Sequence, residues 1–162
     1  MKIENRSKSL RISQMRYITA IIFFPLLVGL LVTDFVDEQF FGLSKYYLAI
    51  FATLIYLAHN VYEYIKDFNY IYFSDEENHK ILLRYVSLMP LKNKKYSVEI
   101  KKSDLHSYKI NRSSMNLRQE LILYVRTPQG IAKYPPVSIT ALSEDELNQM
   151  KKALNKVLGI TA

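Results

Sequence analysis

Two long apolar runs near the start of the chain most constrain what it can fold into. Residues 17–33 (YITAIIFFPLLVGLLVT) contain no ionisable side chain, and residues 46–65 (YYLAIFATLIYLAHNVYEYI) follow after a short acidic connection at 34–45. A spanning helix needs roughly 20 mainly apolar residues, with about 17 as the lower limit. The first run is apolar all round, whereas the surface helix of a soluble protein keeps a polar face. The sequence therefore predicts a two-helix transmembrane hairpin.

A cleaved signal peptide is the alternative interpretation of the first run, because a basic segment precedes it. No small-x-small cleavage site follows this run, and a second apolar run comes soon after it. Both observations favour an anchor that stays in the protein.

The charges around the two runs predict an orientation. Residues 1–16 carry five Lys/Arg and one acid, a net charge of +4, whereas the connection 34–45 carries three acids and one Lys, a net charge of -2. Lys and Arg in short flanks stay on the cytoplasmic side. We therefore expect a basic cytoplasmic arm at 1–16, an external connection and a cytoplasmic C-terminal domain. The Lys-, Ile-, Tyr- and Asn-rich composition suggests a bacterial protein, and hence an integral protein of the inner (plasma) membrane.

The second run carries a polar stripe with spacings of three and four residues, which places its members on one helix face: Tyr56, His59, Asn60 and Glu63. Ionisable groups in a membrane helix usually face protein or water. The stripe lies in the last third of the run, so it is either the interfacial end of the helix or a contact with a partner helix. The small residues Ala49, Ala52 and Gly29 would allow close approach. Pro25 and Gly29 also predict a kinked first helix packed closely on the second.

From residue 69 onward the apolar period changes from helical to twofold, which indicates β-strands. Within residues 104–112 the alternation places His106, Tyr108 and Ile110 on one face. Within residues 118–127 it places Leu121, Leu123 and Val125 on the core face. The remaining predicted strands are a first strand from residue 69 to the turn at 74–78, then 80–89, 96–102, and 131–140 interrupted by Pro135 and Pro136.

The end of the chain has a helical pattern instead. Ser143 and Glu146 form a capping box, and Gly159 is placed to end the helix. An apolar stripe follows the cap, at Leu147, Met150, Leu154, Val157 and Leu158. The sequence thus predicts an α+β or all-β domain at 69–158, with six or seven antiparallel strands, a capping C-terminal helix and a tail at 159–162.

This order of elements behind a two-helix hairpin resembles the bacterial pleckstrin-homology-like (PH-like) family of small membrane proteins. The segments that carry the resemblance are NYIYFS, IKKSDLHSYKI, LRQELILYVRTPQG and LSEDELNQMKKAL. The resemblance implies a partly open antiparallel barrel used for binding or scaffolding, with protein or lipid ligands. Eukaryotic pleckstrin-homology domains bind phosphoinositides through a basic loop between their first two strands. The corresponding residues 75–78 are acidic here, which argues against that lipid site.

Basic side chains in loops or at the ends of predicted strands are candidates for contact with the membrane or an acidic partner: Lys92, Lys94, Lys95, Lys101 and Lys102. Near an anionic leaflet each such residue contributes about 1 kcal/mol of attraction. A solvated basic face is the alternative. No nucleic-acid partner is predicted, because the chain has no helix-turn-helix pattern and no zinc-ligand spacing.

No catalytic residue, cofactor or metal site is predicted. The chain has no cysteine, His79 and His106 lack metal-ligand spacing, and there is no G-x-S-x-G motif. We therefore predict a non-enzymatic membrane protein whose PH-like domain binds a protein partner. Two alternatives stay open: an accessory subunit of a larger membrane complex with the hairpin as its interface, and sensing of anionic lipid by the PH-like domain.

Overall fold

The computed structural model describes residues 1–33, 44–89 and 94–160 of the chain. The described elements are, in chain order, β1 (Lys2–Glu4), α1 (Arg6–Val32), α2 (Lys45–Lys66), β2 (Asn69–Ser74), β3 (Lys80–Ser87), β4 (Lys95–Lys101), β5 (Leu105–Ser113), β6 (Arg118–Thr127), β7 (Gly130–Lys133), β8 (Val137–Ser138) and α3 (Glu144–Leu158). They belong to two compact units. The sheet unit comprises Met1–Leu10 and Ile65–Ala162, and the helix-pair unit comprises Arg11–Tyr64.

The two predicted apolar runs are confirmed as helices. Helices α1 and α2 are each long and apolar enough to cross a membrane. Large apolar side chains such as Ile21, Val32 and Phe51 are exposed along them. Apolar surface of this extent marks contact with lipid or with another protein. Helix α1 already begins at Arg6, well before the apolar run, and the predicted connection 34–45 lies outside the described residues except at its last two positions.

The N-terminal segment has a structure that the sequence did not predict. Residues Lys2–Glu4 form β1, which pairs antiparallel with β2 so that Ile3 lies opposite Phe73. Ile3 is buried in the hydrophobic core of the sheet unit. The segment 1–16 is therefore not simply a basic arm. A strand of three residues with one apolar side chain is too short to show a twofold pattern.

Asn5, between β1 and α1, anchors this segment through hydrogen bonds with β2. Its side chain is fully buried; Nδ2 donates to the carbonyl of Asn69 at 3.0 Å, and Oδ1 accepts from the amide of Ile71 at 2.8 Å. The side chain of Asn69 donates in turn to the carbonyl of Ser138 in β8 at 3.1 Å. We call Asn5, Asn69 and Ser138 the N-terminal clasp. It connects the first residues of the chain to both sheets.

The strands of the described chain, eight in number, form two separate antiparallel sheets. One sheet has the order β1-β2-β3-β4. In the other, β5, β6 and β7 follow in order and β8 also pairs with β6. The prediction of six or seven strands in a partly open barrel is thus corrected to two open sheets. One strand is added by β1, and Pro135 and Pro136 divide the last predicted strand into β7 and β8, because proline has no amide hydrogen to donate.

The hydrophobic core is formed by the two sheets and α3. The predicted core face of β6, with Leu121, Leu123 and Val125, is confirmed as buried. Helix α3 adds the buried side chains of Met150 and Leu154 to the same core. Burial of apolar surface stabilises a fold by roughly 25 cal/mol per Å². Burial in this shared core is therefore the main contribution that holds the two sheets and the helix together.

Strand β5 differs from its predicted register. A β-bulge between Leu105 and Ser107 shifts the alternation by one residue. Leu105 is therefore buried, and Tyr108 and Ile110 pack against the core, whereas His106 is exposed. The prediction that His106 shares a face with Tyr108 and Ile110 is wrong. A uniform twofold count cannot detect the extra residue of a bulge.

The predicted ends of the C-terminal helix are confirmed. Ser143 Oγ accepts from the amide of Glu146 at 3.3 Å, and a Glu146 carboxylate oxygen accepts from the amide of Ser143 at 2.7 Å. Gly159 follows the helix with a φ of 68°, a left-handed conformation that glycine adopts without steric cost. These caps satisfy backbone groups that a helix end otherwise leaves unpaired.

A hydrogen bond between neighbouring side chains also holds β1 on β2. Tyr70 Oη donates to Glu4 Oε1 at 2.7 Å. This bond lowers the pKa of Glu4 from its ordinary value. Burial, together with the bond to Glu4, raises the pKa of Tyr70 to about 12. Because the pKa of Glu4 is lower in the folded chain than in the unfolded chain, Glu4 stabilises the fold at a pH above its unfolded pKa, and this stability is lost as the pH falls through its folded pKa. The pKa of Tyr70 is raised instead, so its contribution is present below about pH 10 and is lost as the pH rises towards 12.

We expect Tyr70→Phe to raise the pKa of Glu4 towards its ordinary value, because the phenol donor is removed while the ring is kept. Carboxyl-carbon NMR titration of the full chain in micelles measures this pKa directly. Tyr72→Phe is the matched control, since Tyr72 lies opposite Glu4 across the two strands, whereas it is Tyr70 that donates the hydrogen bond to Glu4. An equal pKa of Glu4 in both variants would show that Tyr70 does not stabilise the carboxylate.

Candidate binding surfaces

The predicted polar stripe lies in the helix-pair unit, and part of it is paired within that unit. The Glu63 side chain is 14% exposed, and Arg16 Nε of α1 donates to Glu63 Oε2 at 2.8 Å. His59 Nε2 lies 3.7 Å from the other carboxylate oxygen. The negative charge of Glu63 is thus balanced by the neighbouring helix, so it requires no external partner.

The other members of the stripe are arranged along the same helix. The Tyr56 ring stacks on Phe23 of α1 with ring centroids 4.1 Å apart and 4° between the planes. Asn60 Nδ2 donates to the carbonyl of Tyr56 at 2.7 Å, one turn earlier in α2. The His59 side chain remains 47% exposed. The stripe is therefore largely a contact between the two helices, with His59 as its exposed part.

The predicted close packing at Gly29 is wrong. A Cβ atom added at Gly29 would meet no atom of the described chain within 4 Å. Stacked rings, at Phe23 and Tyr56, make the observed contact between the helices instead. Of the two small residues in α2, Ala49 is buried, and Ala52 lines an apolar groove of about 520 Å³ that also includes Tyr56 and His59.

The structure divides the predicted basic residues into two groups. Lys94 and Lys95 are exposed at the start of β4, and Lys101 and Lys102 lie at its end, about 20 Å away at about 3.3 Å per residue. Lys92 lies outside the described residues. Lys102 pairs with Asp75 in the β2–β3 turn, and its amine also donates to the carbonyl of Asp75 at 3.1 Å. These lysines therefore do not form one continuous patch.

A groove in the sheet unit, which the sequence did not predict, lies where the two sheets are not joined. One wall holds Tyr85 and Tyr96, whose rings stack 4.9 Å apart, and the other holds Tyr134, Pro135 and Pro136. Its volume is about 850 Å³. Concave sites of several hundred Å³ with aromatic walls are typical binding sites. We call this feature the inter-sheet groove.

The charges around the inter-sheet groove are unevenly balanced. Asp67 lines the groove but is paired with Arg118, at 3.1 Å between Oδ2 and Nη2. Lys94 also lines it, with Lys95 exposed beside it. Burial raises the pKa of Tyr85, with a smaller effect from Tyr96. The groove thus offers aromatic rings next to positive charge.

The sequence alone does not predict that the residues of the groove lie close together. Tyr85 and Tyr96 face each other only through the register of β3 and β4. Pro135 and Pro136 were predicted only as a strand interruption. One sequence signal could have indicated the groove. The alternation of β4 places Tyr96 on the core-facing side of the strand, and its side chain is nevertheless 46% exposed there.

Residues 1–33, 44–89 and 94–160 contain no group of three His, Asp or Glu side chains close enough to hold a metal ion. Comparison with protein-family models, curated proteins and solved structures found no match to the chain. The structure itself defines the class: two helices long enough to span a membrane, and a unit of two antiparallel sheets with a C-terminal helix.

Proposed function

We propose that this chain is a non-enzymatic membrane protein that presents a PH-like binding unit to a protein partner at the cytoplasmic face of a bacterial inner membrane. The observation that carries the proposal is the inter-sheet groove, with Tyr85 and Tyr96 facing Tyr134 and two prolines. Tyrosine is enriched where proteins contact each other, because its ring has a large apolar surface and its hydroxyl can still hydrogen-bond.

The chain connections support an anchor with two crossings. Strand β1 precedes α1 and β2 follows α2, and yet the two strands pair in one sheet. Two crossings return the chain to the side from which it started, as this pairing requires. The basic residues of segment 1–16 favour the cytoplasm as that side.

The PH-like interpretation is supported by two antiparallel sheets that share a core with one C-terminal helix. A fold of this kind serves many functions, so the partner has to be identified through the site and not through the fold. The acidic turn at residues 75–78, in which Asp75 already pairs with Lys102, gives little support to a phosphoinositide site between β2 and β3.

We expect a photo-crosslinking residue at the position of Tyr96 to capture a protein partner in native membranes, since this side chain lies in the groove and is half exposed. The product is identified by mass spectrometry. Position Met115, 94% exposed in the β5–β6 turn, is the matched control for non-specific capture. The full chain is used because a fragment from residue 65 onward would lack β1 and Asn5. Equal capture at both positions, or none at either, would contradict a groove-specific partner.

A second candidate function is that of an accessory subunit, with the helix pair as the interface. The favouring observation is His59, which is half exposed beside an apolar groove between α1 and α2. The same crosslinker at the position of His59 tests it. Capture at His59 without capture at Tyr96 would favour this second function over the first.

A further inference from the structure

Among the strands that the structure describes, β4 pairs only with β3, so its other edge is free. The register sets Tyr85 opposite Tyr96 and Leu83 opposite Val98. Beyond the strand, the amide of Lys102 donates to the carbonyl of His79 at 2.9 Å, which continues the same antiparallel pattern. Even-numbered residues of β4 therefore bond to β3. The backbone N–H and C=O groups of Lys95, Ser97 and Glu99 point to the free edge, because bonded and non-bonded pairs alternate in antiparallel sheets.

A strand added at this edge would also reach the inter-sheet groove. Its side chains would alternate between the two faces of the sheet, and those on the inner face would lie beside Tyr96 and Val98. Both residues line the groove. Backbone pairing and side-chain contact would thus be available to one extended segment, which is the combination used in strand-addition recognition.

The charges at this edge favour binding of an acidic segment. Glu99 lies 3.5 Å from Lys80, and Asp67 pairs with Arg118. The ion pairs of the described chain leave Lys94 and Lys95 without a carboxylate partner. A second copy of β4 paired antiparallel over the full length of the strand would place Lys95 opposite Lys101, which is unfavourable.

We propose that the free edge of β4, together with the inter-sheet groove, binds an extended acidic segment of the partner protein as an additional strand. This inference rests on the proposed function and deepens it by naming the chemistry of the partner. Main-chain hydrogen bonds to Lys95, Ser97 and Glu99 provide affinity, apolar side chains enter the groove, and carboxylates of the segment face Lys94 and Lys95.

The test uses the full chain in phosphatidylcholine nanodiscs and a fluorescent peptide of about eight residues, the length of an ordinary strand. The peptide alternates glutamate with valine and tyrosine, and its lysine counterpart is the charge control. Fluorescence anisotropy is expected to show about tenfold tighter binding of the acidic peptide at low salt, a preference that decreases as salt screens the lysines.

Two changes test the strand pairing itself. Ser97→Pro removes one outward N–H without removing a bond to β3, since proline is tolerated on a free edge, and we expect about fivefold weaker binding. Ser97→Thr is the matched control and should bind like the unmodified chain. A peptide N-methylated at alternate residues tests the same bonds on the intact protein, should Ser97→Pro alter the fold, and is also expected to bind about fivefold more weakly.

Charge is tested by replacing both Lys94 and Lys95 with glutamine, which should abolish most of the preference for the acidic peptide. Equal binding of acidic and basic peptides would overturn the charge assignment. Insensitivity to both Ser97→Pro and N-methylation would overturn strand addition, as would crosslinking of Tyr96 chiefly to a second copy of the chain. Capture of a partner at Tyr96 without binding of the acidic peptide would reject this inference while the proposed function stands. Lack of groove-specific capture, in contrast, rejects the proposed function.

Discussion

Asn5→Leu is expected to lower the free energy of unfolding of the sheet unit by about 3 kcal/mol, because it leaves two buried backbone groups without partners. These groups are the carbonyl of Asn69 and the amide of Ile71, which bond to the Asn5 side chain at 3.0 and 2.8 Å. Leucine has the same branching and the same number of heavy side-chain atoms as asparagine, but it cannot form either bond. The effect is expected to be large because the Asn5 side chain is fully buried.

Hydrogen exchange of the β2 amides in the detergent-solubilised full chain measures this loss, because exchange reports local opening as well as global unfolding. Asn111→Leu, at an exposed position of β5, is the matched control and should change exchange little. Similar exchange in the two variants would show that the N-terminal clasp does not stabilise the sheet. A fragment that starts at residue 65 should likewise exchange rapidly in β2, since it lacks both β1 and Asn5.

Arg16→Leu is expected to destabilise the helix pair by about 3 kcal/mol, because it leaves the Glu63 carboxylate without its principal partner in an apolar environment. The two side chains are 17% and 14% exposed, so solvent screens their interaction only weakly. Adding Glu63→Leu to Arg16→Leu should recover most of the loss. Two leucines leave no isolated charge and suit the apolar surroundings.

The stability of these variants is compared by titrating the detergent-solubilised chain with sodium dodecyl sulfate and following the loss of the helical circular dichroism signal. Arg11→Leu is the matched control, since Arg11 is an exposed arginine of the same helix. If the double variant is less stable than Arg16→Leu alone, the ion pair is not the main role of these residues. In that case a role of Glu63 towards a partner helix would regain support.

Several features followed from the sequence because they depend on neighbouring residues. The apolar runs predicted α1 and α2, and the alternation of Leu121, Leu123 and Val125 predicted the buried face of β6. Ser143, Glu146 and Gly159 predicted the ends of α3, since capping groups lie within one helical turn of the backbone that they satisfy.

The polar stripe was predicted only in part. Spacing placed Tyr56, His59 and Glu63 on one face of α2, but it could not show that α1 supplies their partners. Arg16 appeared in the sequence as a positive charge flanking the first run, and only the packing of the two helices brings its guanidinium to Glu63. At Gly29 an added Cβ atom would meet no atom of the described chain within 4 Å, because stacked aromatic rings make the contact between the helices elsewhere.

The sequence by itself determined that this chain has two helices able to span a membrane and a β-rich unit ending in a capped helix. These properties arise from periodicity and caps, which act over a few residues. Only the tertiary structure decided that Asn5 bonds to β2, that a bulge turns His106 outward, and that Tyr85, Tyr96 and Pro135 line one groove. Each of these depends on strand register or on contact between distant segments, and neither is encoded in the spacing of nearby side chains.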